Sequence, residues 1–362
     1  MNDDVAGHYS GEGDLARAIA ESLRKAGKDT AKLTTVDLAT VDEFHIRGRT
    51  ATLELAQALN INAASRVLDI GSGLGGPART VAETYACRVT GIDLTPAFCD
   101  AAAALSGWVG LSDRVSFRQG DATRLPFADG LFDAAMTIHA AMNIAAKDKM
   151  YAEARRVLKP GGRFGVYDIL QGEGGGVLFP VPWARDPSIS HLATPDAMQA
   201  LLTGVGFKIA HVHDSTEESQ RWFEAMAERM KRSQPTVTFQ AFLGDDFPAM
   251  TRNNVRNLTE RRIRTVSYIC HCARARIMPP GAPRCSPAAD FGDRSELCGQ
   301  WLVANKAEVD ISWWARRAVG VRQFEVVGET ASPSRWAPAL PRRRRVVSPV
   351  ISQYLAATLK AS

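Results

Sequence analysis

The chain has 362 residues, room for one large domain or two ordinary ones. Hydrophobic residues make up 45% and charged residues 23%, the balance of a globular protein with a sizeable core. No run of about 18 apolar residues occurs, which argues against a transmembrane helix and membrane insertion. The polar start Met1-Asn2-Asp3-Asp4 lacks the features of a secretion signal, so a cytoplasmic location is expected. The formal net charge of +5 is unevenly spread: residues 276–362 hold 13 Lys/Arg against 7 Asp/Glu, and residues 1–275 hold 31 against 32. Six cysteines, Cys87, Cys99, Cys270, Cys272, Cys285 and Cys298, form no CxxC pair. Free thiols in a reducing compartment are expected, and no metal site.

Leu15, Ile19 and Leu23 recur on one face and predict a helix over 12–27. A second is expected over about 48–59. Short apolar runs then predict strands at 66–70, 88–92, 115–118, 132–138 and 163–169, with helices at 77–86, 96–107 and 147–158 between them. The connection between the third and fourth runs reads mostly as loop. Gln171–Pro187 is rich in Gly and Pro and reads as a loop or lid outside the core. A helix at 195–204, a strand at 207–212, a helix at 216–232 and a strand at 262–270 follow. Beyond Ala275 come prolines, four tryptophans without periodicity and Arg342-Arg343-Arg344-Arg345. Strand–helix alternation predicts a doubly wound α/β fold, and unbroken apolar strands predict a sheet covered on both faces. The expected organisation is a helical cover over 1–60, an α/β domain over 61–275 with a lid insertion at about 171–190, and an irregular extension over 276–362.

Gly71-Ser72-Gly73-Leu74-Gly75-Gly76 joins a strand to a helix, and Pro77 suits the first helical turn. Glycines let the chain turn sharply and a ligand approach closely, and amides at such a helix start can hold an anion. The run fits G-x-G-x-G and also the dinucleotide pattern G-x-G-x-x-G. Asp93 ends the second strand, where a carboxylate can accept both hydroxyls of a ribose. Asp69 precedes the glycines and suits a cationic ammonium group, which a pyrophosphate would not supply. Both aspartates could instead serve as turn caps.

In this order, Val67-Leu-Asp-Ile-Gly-Ser-Gly-Leu-Gly-Gly76, Gly91-Ile-Asp93-Leu94, Gly120-Asp121-Ala122, Leu125-Pro-Phe with Leu131-Phe-Asp133, and Val157-Leu-Lys-Pro-Gly-Gly162 resemble the motifs of class I methyltransferases. The resemblance is to the small-molecule branch that holds ubiquinone/menaquinone C-methyltransferases and sarcosine/dimethylglycine N-methyltransferases. It covers about 65–170 closely and extends from Tyr9 to about Ala275. It implies a Rossmann-like, seven-stranded, mostly parallel sheet whose last strand, 262–270, is antiparallel. It further implies S-adenosylmethionine held by Gly71, Gly73, Gly75, Asp93, Leu94, Asp121 and Ala122, with Asp69, Ser72 and His139 beside them, and a small-molecule methyl acceptor.

Methyl transfer is an in-line displacement in which positioning and water exclusion carry most of the catalysis. An acceptor that loses a proton also needs a base. His139 lies just past the fourth strand, at the end of the sheet where ligands bind; related enzymes often carry an acidic residue there. Asn143 follows four residues on. Tyr9 and His45 lie in the segment resembling the cover of this branch. These four are the candidates for the acceptor pocket. Three other readings compete: an NAD-dependent oxidoreductase, a nucleic-acid-binding protein or RNA methyltransferase using the basic tail, and a catalytically silent cofactor-binding relative. An adenine amino-methyltransferase would carry Asn/Asp-Pro-Pro-aromatic after the fourth strand. Here Ile138-His-Ala-Ala-Met-Asn-Ile144 stands instead, so no nucleic-acid partner is expected.

Overall fold

In the computed structural model, which describes residues 15–232 and 244–272, seven strands form one sheet. They are β1 (Arg66–Ile70), β2 (Arg88–Asp93), β3 (Val115–Gln119), β4 (Phe132–Ile138), β5 (Leu158–Gln171), β6 (Phe207–Asp214) and β7 (Ile263–Cys272). Their spatial order is β3-β2-β1-β4-β5-β7-β6. Strands β1 to β5 pair in parallel, and β7 is antiparallel to both β5 and β6. The expected Rossmann-like sheet is therefore present. Strand order reverses between β1 and β4, so a crevice opens at their C-terminal ends, the usual ligand position in such sheets.

Nine α-helices accompany the sheet among the described residues: α1 (Leu15–Lys25), α2 (Thr35–Asp42), α3 (Gly48–Ala58), α4 (Gly76–Tyr85), α5 (Pro96–Trp108), α6 (Lys147–Val157), α7 (Pro195–Gly204), α8 (Thr216–Arg232) and α9 (Phe247–Thr259). On one face, Leu55 and Leu59 from the α3 segment and Val81 of α4 pack on Val67, Val89 and Met136. On the other, Tyr151 of α6 and Leu202 of α7 pack on Leu68, Phe164 and Val166. Each such buried side chain contributes about 1.5–3 kcal/mol. The cover is built by α1 and α2, whose Ile19, Leu23, Leu38 and Val41 pack with Leu74 of the glycine loop and Leu105 of α5.

Two of these helices, α2 and α9, were not predicted. Helix α2 starts with a capping box: Thr34 Oγ1 accepts from the Asp37 amide, and the Asp37 carboxylate accepts from the Thr34 amide. Its Val36 points outward, 64% exposed, and Thr35 and Asp42 share the buried face with Leu38 and Val41, so the apolar stripe is only two residues long. Helix α9 buries Asn254 and Asn257 on its inner face, which breaks the apolar stripe in the same way.

The 171–190 segment also differs from expectation. Val181, Trp183 and Ala184 are at most 1% exposed and pack with Ile46, Met142, Phe223 and Leu258. The segment is part of a small core beside the crevice. Asn257 of α9 fixes it by bonding both the amide and the carbonyl of Leu178, at 2.9 and 3.0 Å. Strand β5 is longer than predicted at both ends: Leu158 pairs with Phe132 of β4 across a register shift, and Gln171 pairs with Ile263 of β7. Tyr9 and the extension 276–362 lie outside the described residues.

Candidate functional site

The glycine loop connects β1 to α4 at the point where strand order reverses. Gly71, Gly73 and Gly75 have φ of +77°, +52° and +78°, the left-handed region that a side chain disfavours. At Gly73, a Cβ would meet nothing within 4 Å, so this backbone borders open space that a ligand can enter. The loop's amides are largely committed to its own shape. Gly71 and Ser72 donate to the Ile92 carbonyl at 2.8 and 3.0 Å, and Gly75 to that of Ser72 at 2.8 Å. The Gly73 amide donates to Asp93 Oδ2 at 2.8 Å.

Asp93 is thereby tied to the loop, and its Oδ1 accepts from the Thr95 amide at 2.9 Å. A carboxylate has lone pairs to spare after two such bonds and can still accept from hydroxyls. Asp69, 1% exposed, has a buried Oδ2 with no hydrogen-bond partner. Burial, reinforced by Glu43 and Asp93 and opposed by Arg79, pushes its carboxyl up to about 8. Ser72 Oγ is likewise buried and unpartnered. Past β3, Asp121 Oδ1 accepts from the amide and hydroxyl of Thr123, both at 2.8 Å. Ala122 packs against the core, and the Leu94 carbonyl accepts from Gln119 Nε2 at 3.4 Å.

His139 follows β4 with φ +48°, a conformation uncommon for a side-chain-bearing residue and frequent at functional sites. Its Nε2 is buried without a partner. Burial, and secondarily His45, holds its imidazole well below the usual histidine range, so the ring is neutral. His45 lies 5.9 Å from it, ring centre to ring centre, and Tyr167 of β5 lies 4.8 Å from it. Burial takes His45 down to about 4. As a neutral ring it donates from Nε2 to the Gly48 carbonyl at 2.9 Å. The structure thus brings His139 and His45 together at the crevice. It places Asn143 differently: its Nδ2 donates to the carbonyls of Trp183 and Ile189, both at 2.8 Å, and so clamps the 171–190 segment to the turn after β4.

Two further residues join the site without having been singled out. Tyr167 was hidden inside an apolar strand. Glu43 ends the cover helix and is 4% exposed. It accepts from Thr52 Oγ1 at 2.7 Å and Thr80 Oγ1 at 2.6 Å. Beside it, Arg79 donates to Asp42 Oδ2 at 2.7 Å, joining the cover to α4. The signal for Glu43 was the polar group Asp42-Glu43-Phe44-His45 ahead of a helix. Among the described residues no group of three or more His, Cys, Asp or Glu side chains could hold a metal ion.

The family described as "Methyltransferase domain" matches residues 68–166, the stretch that carries this loop and both aspartates. The methyltransferase GfsG of Streptomyces halstedii is 30% identical over 190 residues, spanning 51% of this chain and 67% of that protein. The chain belongs to the class I S-adenosylmethionine-dependent methyltransferases. The sterol 24-C-methyltransferase ERG6B of Gibberella zeae is 41% identical over 116 residues, spanning 32% of this chain and 30% of that protein. The chain spans from about a third to about half the length of the curated sterol methyltransferases it matches. Among solved structures, the [4+2]-cyclase SpnF superposes with a TM-score of 0.56 at 24% identity, over 76% of this chain and 98% of that one, a likeness of fold.

Membership sets aside the dehydrogenase reading. The family's cofactor is S-adenosylmethionine, and the residues fit it. Open space at Gly73 leaves room for the ligand. The orphaned Asp69 oxygen is a ready acceptor for an ammonium group, and Asp93 has lone pairs for a ribose.

Proposed function

We propose that this chain transfers a methyl group from S-adenosylmethionine to a small-molecule acceptor. The observation that carries the reading is the unpartnered, buried Asp69 carboxylate facing an open glycine loop whose shape is pinned by Asp93. Asp69 takes the donor's ammonium, Asp93 its ribose hydroxyls, and the turn bearing Asp121 and Ala122 its adenine; Gly71, Ser72, Gly75 and Leu94 shape the cradle. When bound, the donor supplies a methyl group already activated on a sulfonium.

The rest falls to this chain's own residues. His139, neutral and with Nε2 free of partners, can accept a hydrogen bond from an acceptor's N–H or O–H and orient it, while the burial that keeps the ring neutral makes it a weak base. His45, oriented by the Gly48 carbonyl, packs edge-on against it, and the pair excludes water from the crevice. The likeness to sterol 24-C-methyltransferases supports an acceptor with an apolar body. Asn143 serves the acceptor site indirectly, through the lid. The four described cysteines are free thiols, in keeping with a reducing compartment such as the cytoplasm. Among the described residues no helix is long and apolar enough to cross a membrane.

Incubating the protein with methyl-labelled donor and a panel of apolar and amine-bearing small molecules tests the reading. Label is expected to leave the donor for an extractable product. Donor binding with no transfer to any small-molecule fraction would favour the catalytically silent alternative.

A further inference from the structure

The crevice holds more buried carboxyl groups than the protein pairs with cations, and burial holds those of Glu43 and Asp69 above their usual range while the site is empty. Asp42, Glu43, Asp69 and Asp93 surround the glycine loop, and all but Asp93 are nearly inaccessible. Of the two nearby guanidinium groups, Arg79 is spent on Asp42 at 2.7 Å. Arg49 bonds Thr80 Oγ1 at 2.7 Å and Glu83 Oε2 at 2.9 Å. Glu43, Asp69 and Asp93 make no ion pair with Arg or Lys among the described residues. Glu43 is held by two hydroxyls, Asp93 by two backbone amides, and Asp69 Oδ2 by nothing. His45, 3.6 Å from Glu43, is neutral and cancels no charge. Buried carboxylates without a counter-charge are costly, so the arrangement favours a cationic occupant.

We propose that Glu43 determines specificity by charge, favouring the sulfonium donor over the neutral thioether product. The proposal rests on the methyltransferase reading above. Asp69 and Asp93 face the ammonium and the ribose, groups that donor and product share, so their bonds are the same to both and their charge adds only a longer-range preference. Glu43 has no shared group to bind. It sits at the end of the cover, beside the His45–His139 pair that borders the reacting end. Its hydroxyl partners fix its position without neutralising it. Coulomb attraction across a desolvated site falls slowly with distance, so a carboxylate need not touch the sulfur to act on it. The consequence is reduced product inhibition: once the methyl group has left, the product loses the charge that held the donor.

The test uses the purified full chain and three probes at low ionic strength above pH 8: S-adenosylmethionine, S-adenosylhomocysteine, and sinefungin, whose amine carries a cation where the sulfonium stands. Wild type is expected to bind both cationic probes more tightly than the thioether. Glu43→Gln, which keeps the size of the side chain and one of its two hydroxyl-accepting oxygens, is expected to lower that preference about tenfold and to change thioether affinity less than about threefold. Glu43→Asp should retain the preference, and Asp69→Asn should weaken all three probes alike. Equal loss of all three in Glu43→Gln, or an unchanged preference, overturns the proposal and leaves the methyltransferase reading standing. So does a wild type that binds the thioether as tightly as the cations, a result that needs no variant to fold. Failure of wild type to bind any probe defeats the underlying reading instead.

Discussion

Gly76 and Asp42 are in direct contact: a Cβ placed on Gly76 would lie 2.3 Å from the Asp42 backbone oxygen. The first residue of α4 and the last of α2 therefore touch with no room for a side chain. The Arg79–Asp42 ion pair, 1–2% exposed on both sides, closes the same seam. The cover is built onto the glycine loop and is not a loose flap over it. Gly76→Ala must push the two apart, at a cost of about 1–3 kcal/mol. Arg79→Met strands the buried Asp42 charge at about 3–5 kcal/mol. Denaturant melts should rank wild type above Gly76→Ala and Gly76→Ala above Arg79→Met.

The Asp69 carboxyl, raised by burial to about 8 from 3.8, gives a pH signature. In the unfolded chain it loses its proton near pH 4, whereas in the folded empty protein it keeps it until about pH 8. Its contribution to stability is thus fully present below pH 4 and is lost as pH rises towards 8. Ligand binding runs the other way, because an ammonium favours the ionised form. Donor affinity is expected to rise between pH 6 and 8, with proton release seen by calorimetry in buffers of differing ionisation enthalpy. Asp69→Asn should abolish the release.

Asn143 gives a prediction about the lid. Its Nδ2 serves two buried carbonyls, and Asn143→Ala leaves both unsatisfied at about 1–3 kcal/mol. Asn143→Asp adds repulsion between a carboxylate and those oxygens. Hydrogen exchange should accelerate in 177–190 in both variants, more in the second, while donor affinity stays near wild type.

The proposed donor site draws on residues 43–139. Removal of 276–362 is therefore expected to leave donor binding within about twofold, read by titration of the shortened chain. Loss of folding would place the domain boundary beyond Ala275.

Much of this was legible because it is local chemistry. The glycine loop reads from residues that tolerate positive φ, and the sheet from apolar runs that β1, β4 and β5 bury on both faces. Asp93 reads from its place at a strand end. What stayed hidden depends on tertiary contact. Helix α2 buries Thr35 and Asp42 beside Leu38 and Val41 and exposes Val36, blurring the pattern that reveals a helix, although its Thr34–Asp37 capping box was there to be read. Helix α9 uses Asn257 to hold the lid backbone, so its inner face looks polar. Glycines and prolines between 171 and 190 disguised Trp183 as part of a loop. Glu43 matters through Thr52 and Thr80, nine and thirty-seven residues away, and no local pattern joins the three.

A crystal structure of the complex with S-adenosylhomocysteine tests the central claim most directly. The account predicts the amino group within hydrogen-bond distance of Asp69, the ribose on Asp93, and the sulfur turned towards His139. An amino-acid end lying away from Asp69, or a crevice at Gly73 filled by the protein's own side chains, would contradict it.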